Sequence, residues 1–95
     1  MLSLRELNVD GKLWGHVFMF DKAGDIFPTH EHNEEDIHIT VVAFGGIRVI
    51  AGKCEGLELR AIPGGMILNW KPHEPHGFVA LEDGTTIINL LKKRP

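Results

Sequence analysis

At 95 residues and 10.6 kDa, the chain is long enough for one hydrophobic core and too short for two. An apolar content of 43% and a charged content of 24% are typical of a globular domain. The net charge of −3 excludes the basic surface of a general nucleic-acid binder. No apolar run approaches the ~18 residues of a membrane span, so we expect no membrane segment and no signal peptide. We predict a single domain over residues 1–95.

Cysteine and histidine are the informative residue types in the composition. The only cysteine, Cys54, cannot form a disulfide within the chain, which fits a reducing compartment. We therefore expect a cytoplasmic protein. There are 6 histidines, a high number for this length, and they suggest a site built from imidazoles.

The start of the chain predicts a β-hairpin. Residues 2–7 and 13–20 are strand-like, and Asp10-Gly11 lies between them, a pair that tolerates the positive φ angles of a tight turn. Alternation within 13–20 places one set of side chains on a common face: Trp14, His16, Phe18 and Phe20.

The rest of the chain predicts more short strands separated by turns. A turn at 21–25 is followed by six further strand-like stretches: 38–44, 47–51, 57–62, 66–70 and the two strands of a final hairpin, 77–81 and 85–91. No stretch sustains a helical period. Eight or nine short strands predict an all-β, antiparallel sandwich or closed barrel.

Histidines cluster at two places that are far apart in the sequence. The first cluster holds His30, His32 and His38, and the second holds His73 and His76. In an extended segment, positions i and i+2 point to the same side, so His30 and His32 can converge on one point. A strand through His38 can supply a third ligand and His76 a fourth. Neutral imidazole is a common ligand of divalent first-row metals.

The spacing of the first cluster resembles motif one of the cupin family. That motif runs glycine, five residues and His-x-His, followed by a glutamate and, six residues on, a glycine. Here Gly24 is followed by five residues and then by His30 and His32. Six residues, 39–44, separate Gly45 from His38, which stands in the place of the family's glutamate.

The second cluster is similar to cupin motif two, which covers a proline-glycine loop, a histidine and an asparagine. Gly65 is followed by five residues and then by Lys71 in the proline position and His73 in the glycine position. His76 matches the motif histidine, and Ala80 stands in the asparagine position. The resemblance implies an antiparallel double-stranded β-helix, the jelly-roll or cupin barrel, with its core over about residues 13–91.

The third ligand has two candidates, because five residues separate His32 from His38 where the family has three or four. Asp36 fits the spacing counted forward from His32, and His38 fits the spacing counted backward from Gly45. We favour His38, because side chains alternate between the two faces of a strand. The strand that leads to Gly45 therefore fixes the spacing, since a shift by one residue would turn the ligand to the other face. Asp36 can instead ligate, bond a ligating imidazole or serve as a base. The predicted metal set is His30, His32, His38 and His76.

Each of these histidines also has a structural interpretation. His30 and His32 can be a coincidence in a surface loop, and His76 can be held by turn packing. His38 can be half-buried against a carboxylate. We expect His73 to face solvent or the mouth of a pocket, and His16 to face the core or an interface. We expect four acidic residues to form a solvated loop: Glu31, Glu34, Glu35 and Asp36.

The resemblance implies a divalent transition metal as cofactor: Fe, Ni, Mn, Zn or Cu. Its open coordination positions would bind a small oxygen-bearing substrate for oxygenase, isomerase or lyase chemistry. The alternative is a non-catalytic module, of the kind used in sensing, that binds a small ligand. A structural role with an empty barrel is disfavoured, because inward histidines would bury unsatisfied polar groups. We expect a small-molecule partner, no nucleic acid, no membrane and a homodimer.

Overall fold

The computed structural model describes residues 2–30, 36–61, 67–70 and 75–93, with the backbone alone at 30, 36–38, 67–70 and 91–93. These residues form strands and turns, without a helix. None of them forms a helix that could cross a membrane. The strands in chain order are β1 (Leu2–Val9), β2 (Lys12–Phe20), β3 (Ile26–His30), β4 (Asp36–Phe44), β5 (Gly46–Val49), β6 (Glu58–Arg60), β7 (Ile67–Trp70), β8 (His76–Ala80) and β9 (Thr86–Lys93).

The strands form two antiparallel sheets. The larger sheet has the order β1-β2-β9-β4-β7, and the smaller sheet has the order β3-β8-β5-β6. Most neighbours within a sheet are distant in sequence, because the chain crosses repeatedly from one sheet to the other. We call these the five-stranded sheet and the four-stranded sheet.

The predicted first hairpin is confirmed. β1 pairs with β2 from Leu2↔Phe20 to Val9↔Lys12. The turn between them has φ of 51° at Asp10 and 74° at Gly11. Two consecutive positive φ angles define the tight turn whose twist matches that of the flanking strands.

The predicted last hairpin is wrong. β8 pairs with β3 and β5 in the four-stranded sheet, whereas β9 pairs with β2 and β4 in the five-stranded sheet. The turn between β8 and β9 instead carries the chain across the sandwich. The buried Thr85 holds it there, because its Oγ1 donates to the carbonyl oxygens of Glu82 (2.9 Å) and Gly46 (3.2 Å).

β3 was not among the predicted strands, and it contains an irregularity beside the first histidine cluster. Its register with β8 shifts between Phe27↔Phe78 and His30↔His76. Two residues of β3, Pro28 and Thr29, therefore face the single Gly77, which is a β-bulge. Proline suits a bulge because it has no N–H for the ladder. The bulge brings Phe27 and His30 opposite two residues of β8 that share a face.

The interior is apolar at one end. Its buried side chains are Phe20, Phe27, Val42, Ile47, Val49, Leu59, Phe78, Ala80 and Ile87. Phe18 of the five-stranded sheet meets Phe27 of the four-stranded sheet edge to face, with ring centroids 4.6 Å apart. This pair joins the two sheets through aromatic packing.

Candidate metal and ligand site

The interior changes from apolar to polar along the strands. On β8, His76, Phe78 and Ala80 are all buried and share one face by alternation. Loop residues 21–25 hydrogen-bond to Ala80, since the Gly24 N–H donates to the Ala80 carbonyl and the Ala80 N–H donates to the Asp25 carbonyl. This loop leaves β2 at Phe20, so the Phe20 end of β2 lies beside the Ala80 end of β8. His16 and His76 therefore belong to the opposite, polar end.

A series of ring contacts crosses the sandwich between these two histidines. The ring centroids of His16 and Phe18 are 6.0 Å apart, and those of His76 and Phe78 are also 6.0 Å apart. Phe27 contacts Phe18 at 4.6 Å and Phe78 at 5.7 Å. His16 and His76 thus lie on facing sheets, and each is two residues along its strand from a phenylalanine of the aromatic layer.

His76 is the predicted ligand that the structure describes in full. Its side chain has 0% exposure. Nε2 is buried and makes no hydrogen bond to the described residues, while the residue takes part in other interactions. A buried imidazole nitrogen in a polar layer is chemically suited to ligate a metal.

His30 lies directly opposite His76 in the β3–β8 register. Directly opposed positions of an antiparallel pair are neighbours on one face of the sheet. Two of the four predicted ligands are therefore cross-strand partners at the polar end. This neighbourhood depends on the bulge in β3.

β4 carries both candidates for the third ligand. Position 38 is opposite Trp70 of β7 and Leu91 of β9. Alternation places positions 36 and 38 on the same face of β4 as the buried Thr40. The backbone therefore does not choose between Asp36 and His38.

The remaining predicted residues lie outside the described ranges: His32, His73 and the acidic positions 31, 34 and 35. Among the residues that the structure describes, no three metal-ligating side chains come together. The convergence of the four predicted ligands on one ion remains a prediction.

Three polar side chains at the polar end were not predicted as part of a site. His16, Asn89 and Thr40 are consecutive cross-strand partners on β2, β9 and β4. Thr40 has 0% exposure and Asn89 has 6%. The Thr40 hydroxyl donates to Asn89 Oδ1 at 2.7 Å. We call these three residues the polar row.

The sequence gives a weak signal for the polar row. Thr40 and Asn89 interrupt strands that are otherwise rich in β-branched and apolar residues. Their pairing across 49 positions could not be predicted, because it depends on the order of strands in the sheet. His16 is half-buried on the inward face, in agreement with the expectation that it faces the core.

Formal charges lie outside the interior in the described part of the chain. The buried polar residues there are Thr40, His76, Thr85 and Asn89, all neutral or able to be neutral. The ion pairs join exposed groups: Glu58 lies 3.1 Å from Arg60 and 4.0 Å from Arg48. Exposed pairs of this kind contribute little to stability.

Several solved structures that are similar to this chain are named as cupins. KdgF from Halomonas sp. is 26% identical with a TM-score of 0.78, and the match covers 99% of this chain and 80% of that one. An RmlC-like cupin from Shewanella frigidimarina is 24% identical with a TM-score of 0.72, over 95% of this chain and 75% of that one. A predicted oxalate decarboxylase from Thermotoga maritima is 11% identical with a TM-score of 0.78, over 98% and 81%.

No protein-family profile matches the chain, and no curated protein matches it in sequence. The two antiparallel sheets and the structural neighbours confirm the predicted all-β, jelly-roll fold.

Proposed function

We propose that this chain, which has the cupin fold of its structural neighbours, binds one divalent transition metal and uses it to hold a small oxygen-bearing substrate. The proposed ligands are His30, His32, His38 and His76. One observation supports this most directly: the fully buried His76 lies opposite His30 at the polar end of the sandwich.

The donor set fits a first-row metal. Imidazole suits iron, nickel, copper and zinc, and manganese is the remaining candidate. A metal held by neutral imidazoles keeps its positive charge, and when bound it would polarise a carbonyl or carboxylate oxygen of a substrate. The surrounding residues would exclude water on one side through the Phe27–Phe78 layer and offer polar contacts on the other through the polar row.

The reaction classes that match such a site are oxygenase, isomerase and lyase chemistry on small oxygen-bearing molecules. The second candidate is a module that binds a metal-chelated ligand without turnover. The two functions differ in whether the pocket contains a base that the metal does not engage, and the candidates that the sequence offers are Asp36, His73 and Glu74. Among the side chains that the structure describes, no carboxylate is buried.

Metal content tests the ligand assignment. The double variant His30→Ala with His32→Ala is expected to lose the metal and keep the circular dichroism spectrum of a β protein. The matched control is His73→Ala, a histidine close to the second cluster that we do not propose as a ligand. Elemental analysis of untagged protein measures the metal, and unchanged content in the double variant would contradict the assignment.

A second pair of variants decides the ligand on β4. His38→Ala is expected to lower metal affinity by well over tenfold, whereas Asp36→Asn is expected to lower it by about tenfold at most, the effect of losing a group that supports a ligand. The reverse order would assign the ligand to Asp36. Competition with a metal-sensitive dye measures both affinities.

Turnover separates the enzyme from the binding module. Metal-loaded protein is incubated with a panel of small hydroxy and keto acids, and each acid is followed by proton NMR. A new product that is absent with the double variant supports the enzyme. Ligands that bind and are recovered unchanged support the binding module.

We also propose that the protein works in a reducing compartment, the cytoplasm, with neither nucleic acid nor membrane as partner. Cys54 is a free cysteine that packs partly buried against the core. A thiol in this position fits a compartment where disulfides are rare.

A further inference from the structure

We propose that the polar row, His16, Thr40 and Asn89, is the specificity wall of the site and binds an uncharged oxygen of the substrate, a hydroxyl or a carbonyl. This proposal depends on the proposed function, because the metal would hold the other end of the same molecule. The substrate class is then a polyhydroxylated or keto acid without a phosphate group.

The position of the row follows from the sheet register. Thr40 is two residues from position 38 on β4, so the row lies about 7 Å along the strand from the proposed ligand there. Across the sandwich, the ring contacts through Phe18, Phe27 and Phe78 place His16 on the wall that faces His76. A ligand of four or five heavy atoms in length would reach from the metal to the row.

The hydrogen bond within the polar row determines which donors and acceptors the row presents to a ligand. Because Thr40 donates to Oδ1 of Asn89, the amide is oriented with its two Nδ2 hydrogens as the remaining donors. His16, its cross-strand partner, adds one donor and one acceptor when neutral. Donors of this kind bind hydroxyl and carbonyl oxygens.

The polar row itself contains no arginine or lysine that could pair with a phosphate. The arginine and lysine side chains that the structure describes are all exposed, and two of them, Arg48 and Arg60, pair with Glu58 on the four-stranded sheet. No described arginine or lysine is buried in the interior. A dianionic group at the row would lose its hydration without gaining a compensating charge.

A purely structural role is the competing explanation, because a buried Thr–Asn bond also fixes the register of β4 and β9. The two roles differ in one measurable quantity. A recognition wall changes the relative affinity for two ligands that differ only in distal hydroxyl groups, whereas a structural bond changes both affinities together or neither.

The experiment compares two acids on zinc-loaded protein by isothermal titration calorimetry. D-Erythronate and (R)-2-hydroxybutyrate share the carboxylate and 2-hydroxyl that would chelate the metal, and erythronate adds hydroxyls at carbons 3 and 4. The wild-type protein is expected to bind erythronate about fivefold to tenfold more tightly, the effect of one or two net hydrogen bonds. Asn89→Leu is expected to bring the ratio to about one, with zinc affinity unchanged.

A second substitution keeps the test valid if Asn89→Leu does not fold. Asn89→Val, a β-branched residue suited to a strand, also removes the two N–H donors and adds no charge, so the same loss of preference is expected. Thr40→Val is expected to halve the preference by releasing the amide. The matched controls are Thr86→Val and Asn8→Leu, the same changes outside the polar row, and they should keep the wild-type ratio.

The outcomes separate the two proposals. Wild-type protein that binds zinc but binds both acids equally, or neither, overturns the specificity wall and leaves the metal site intact. A preference that survives in both Asn89 variants also overturns it. Wild-type protein that does not bind zinc overturns the proposed function, and the wall with it.

Discussion

Phe27 is the residue on which the separation between the apolar and polar ends depends most. It is 9% exposed, lies edge to face with Phe18 and contacts the ring of Phe78. It therefore joins the two sheets directly below the layer of the proposed ligands.

We predict that Phe27→Ala destabilises the domain by about 3–5 kcal/mol, through lost burial and the cavity that remains. Urea denaturation followed by tryptophan fluorescence measures the free energy of unfolding. Phe44→Ala is the matched control, because Phe44 is 57% exposed and its loss should change stability by about 0.5 kcal/mol or less. Equal losses in the two variants would contradict this arrangement of the core.

Gly15 is the residue that lets β2 approach β9 beside the polar row. A Cβ at this position would collide with the backbone carbonyl of Asn89, which cannot rotate away. At Gly46, by contrast, an added Cβ would lie 3.2 Å from the flexible Arg60 side chain and the Leu59 carbonyl oxygen.

We predict that Gly15→Ala costs about 1–3 kcal/mol of stability and that Gly46→Ala costs less. Thermal unfolding provides the comparison, at roughly 4–8 °C per kcal/mol for a domain of this size. A Gly15→Ala variant as stable as the wild type would show that the two strands can separate at this point.

At the scale of the element, the β3 bulge and Gly77 of β8 act together. An added Cβ at Gly77 would lie 2.8 Å from Thr29 Oγ1 and 3.0 Å from the Thr29 backbone. The bulge would have to move away from β8, and His30 follows directly after it.

We predict that Gly77→Ala lowers zinc affinity by about tenfold, the size of effect seen when a supporting group displaces a ligand. Gly46→Ala, in the same sheet and remote from His30, should leave zinc affinity unchanged. Dye competition measures both. An unchanged affinity in Gly77→Ala would mean that the position of His30 does not limit binding.

Local elements could be predicted from the sequence, and the pairing between distant elements could not. The Asp10-Gly11 turn and its hairpin follow from the φ angles that those two residues tolerate. The turn at 82–84 has a similar composition, yet it connects two sheets. Turn residues specify a reversal of the chain, and the strand order decides which neighbour each strand receives.

In the candidate site, too, local features could be predicted from the sequence and the pairing of distant strands could not. Histidine spacing predicts His30 and His76 as ligands of one metal, and the β3–β8 register places the two positions opposite one another. The bulge that brings these two positions together lies in β3. This strand could not be predicted from the sequence, because it contains Pro28 and proline is unfavourable within a β-ladder. The Thr40–Asn89 bond depends on the β4–β9 pairing, which no local pattern encodes.

At the scale of the whole molecule, the surface of the first hairpin is unusually apolar. Leu4 is 57% exposed, Leu13 is 52% and Trp14 is 41%. β1 is an edge strand of the five-stranded sheet. Exposed apolar side chains beside a sheet edge favour association with another copy.

We predict a homodimer in solution that uses this hairpin. Size-exclusion chromatography with light scattering should give about twice 10.6 kDa for the wild type. Leu4→Glu is expected to shift it to the monomer, while Leu57→Glu, 41% exposed on a turn remote from β1 in the sheet order, should not. A monomeric wild type at micromolar concentration would contradict this prediction.

X-ray absorption at the zinc edge tests the metal site most directly, because it counts the atoms around the ion without knowledge of the substrate. For zinc-loaded wild-type protein we predict three or four imidazole nitrogens at about 2.0 Å, and one fewer in His76→Ala. A coordination shell of oxygen alone, or an identical shell in the wild type and His76→Ala, would contradict the histidine-held metal on which the account depends.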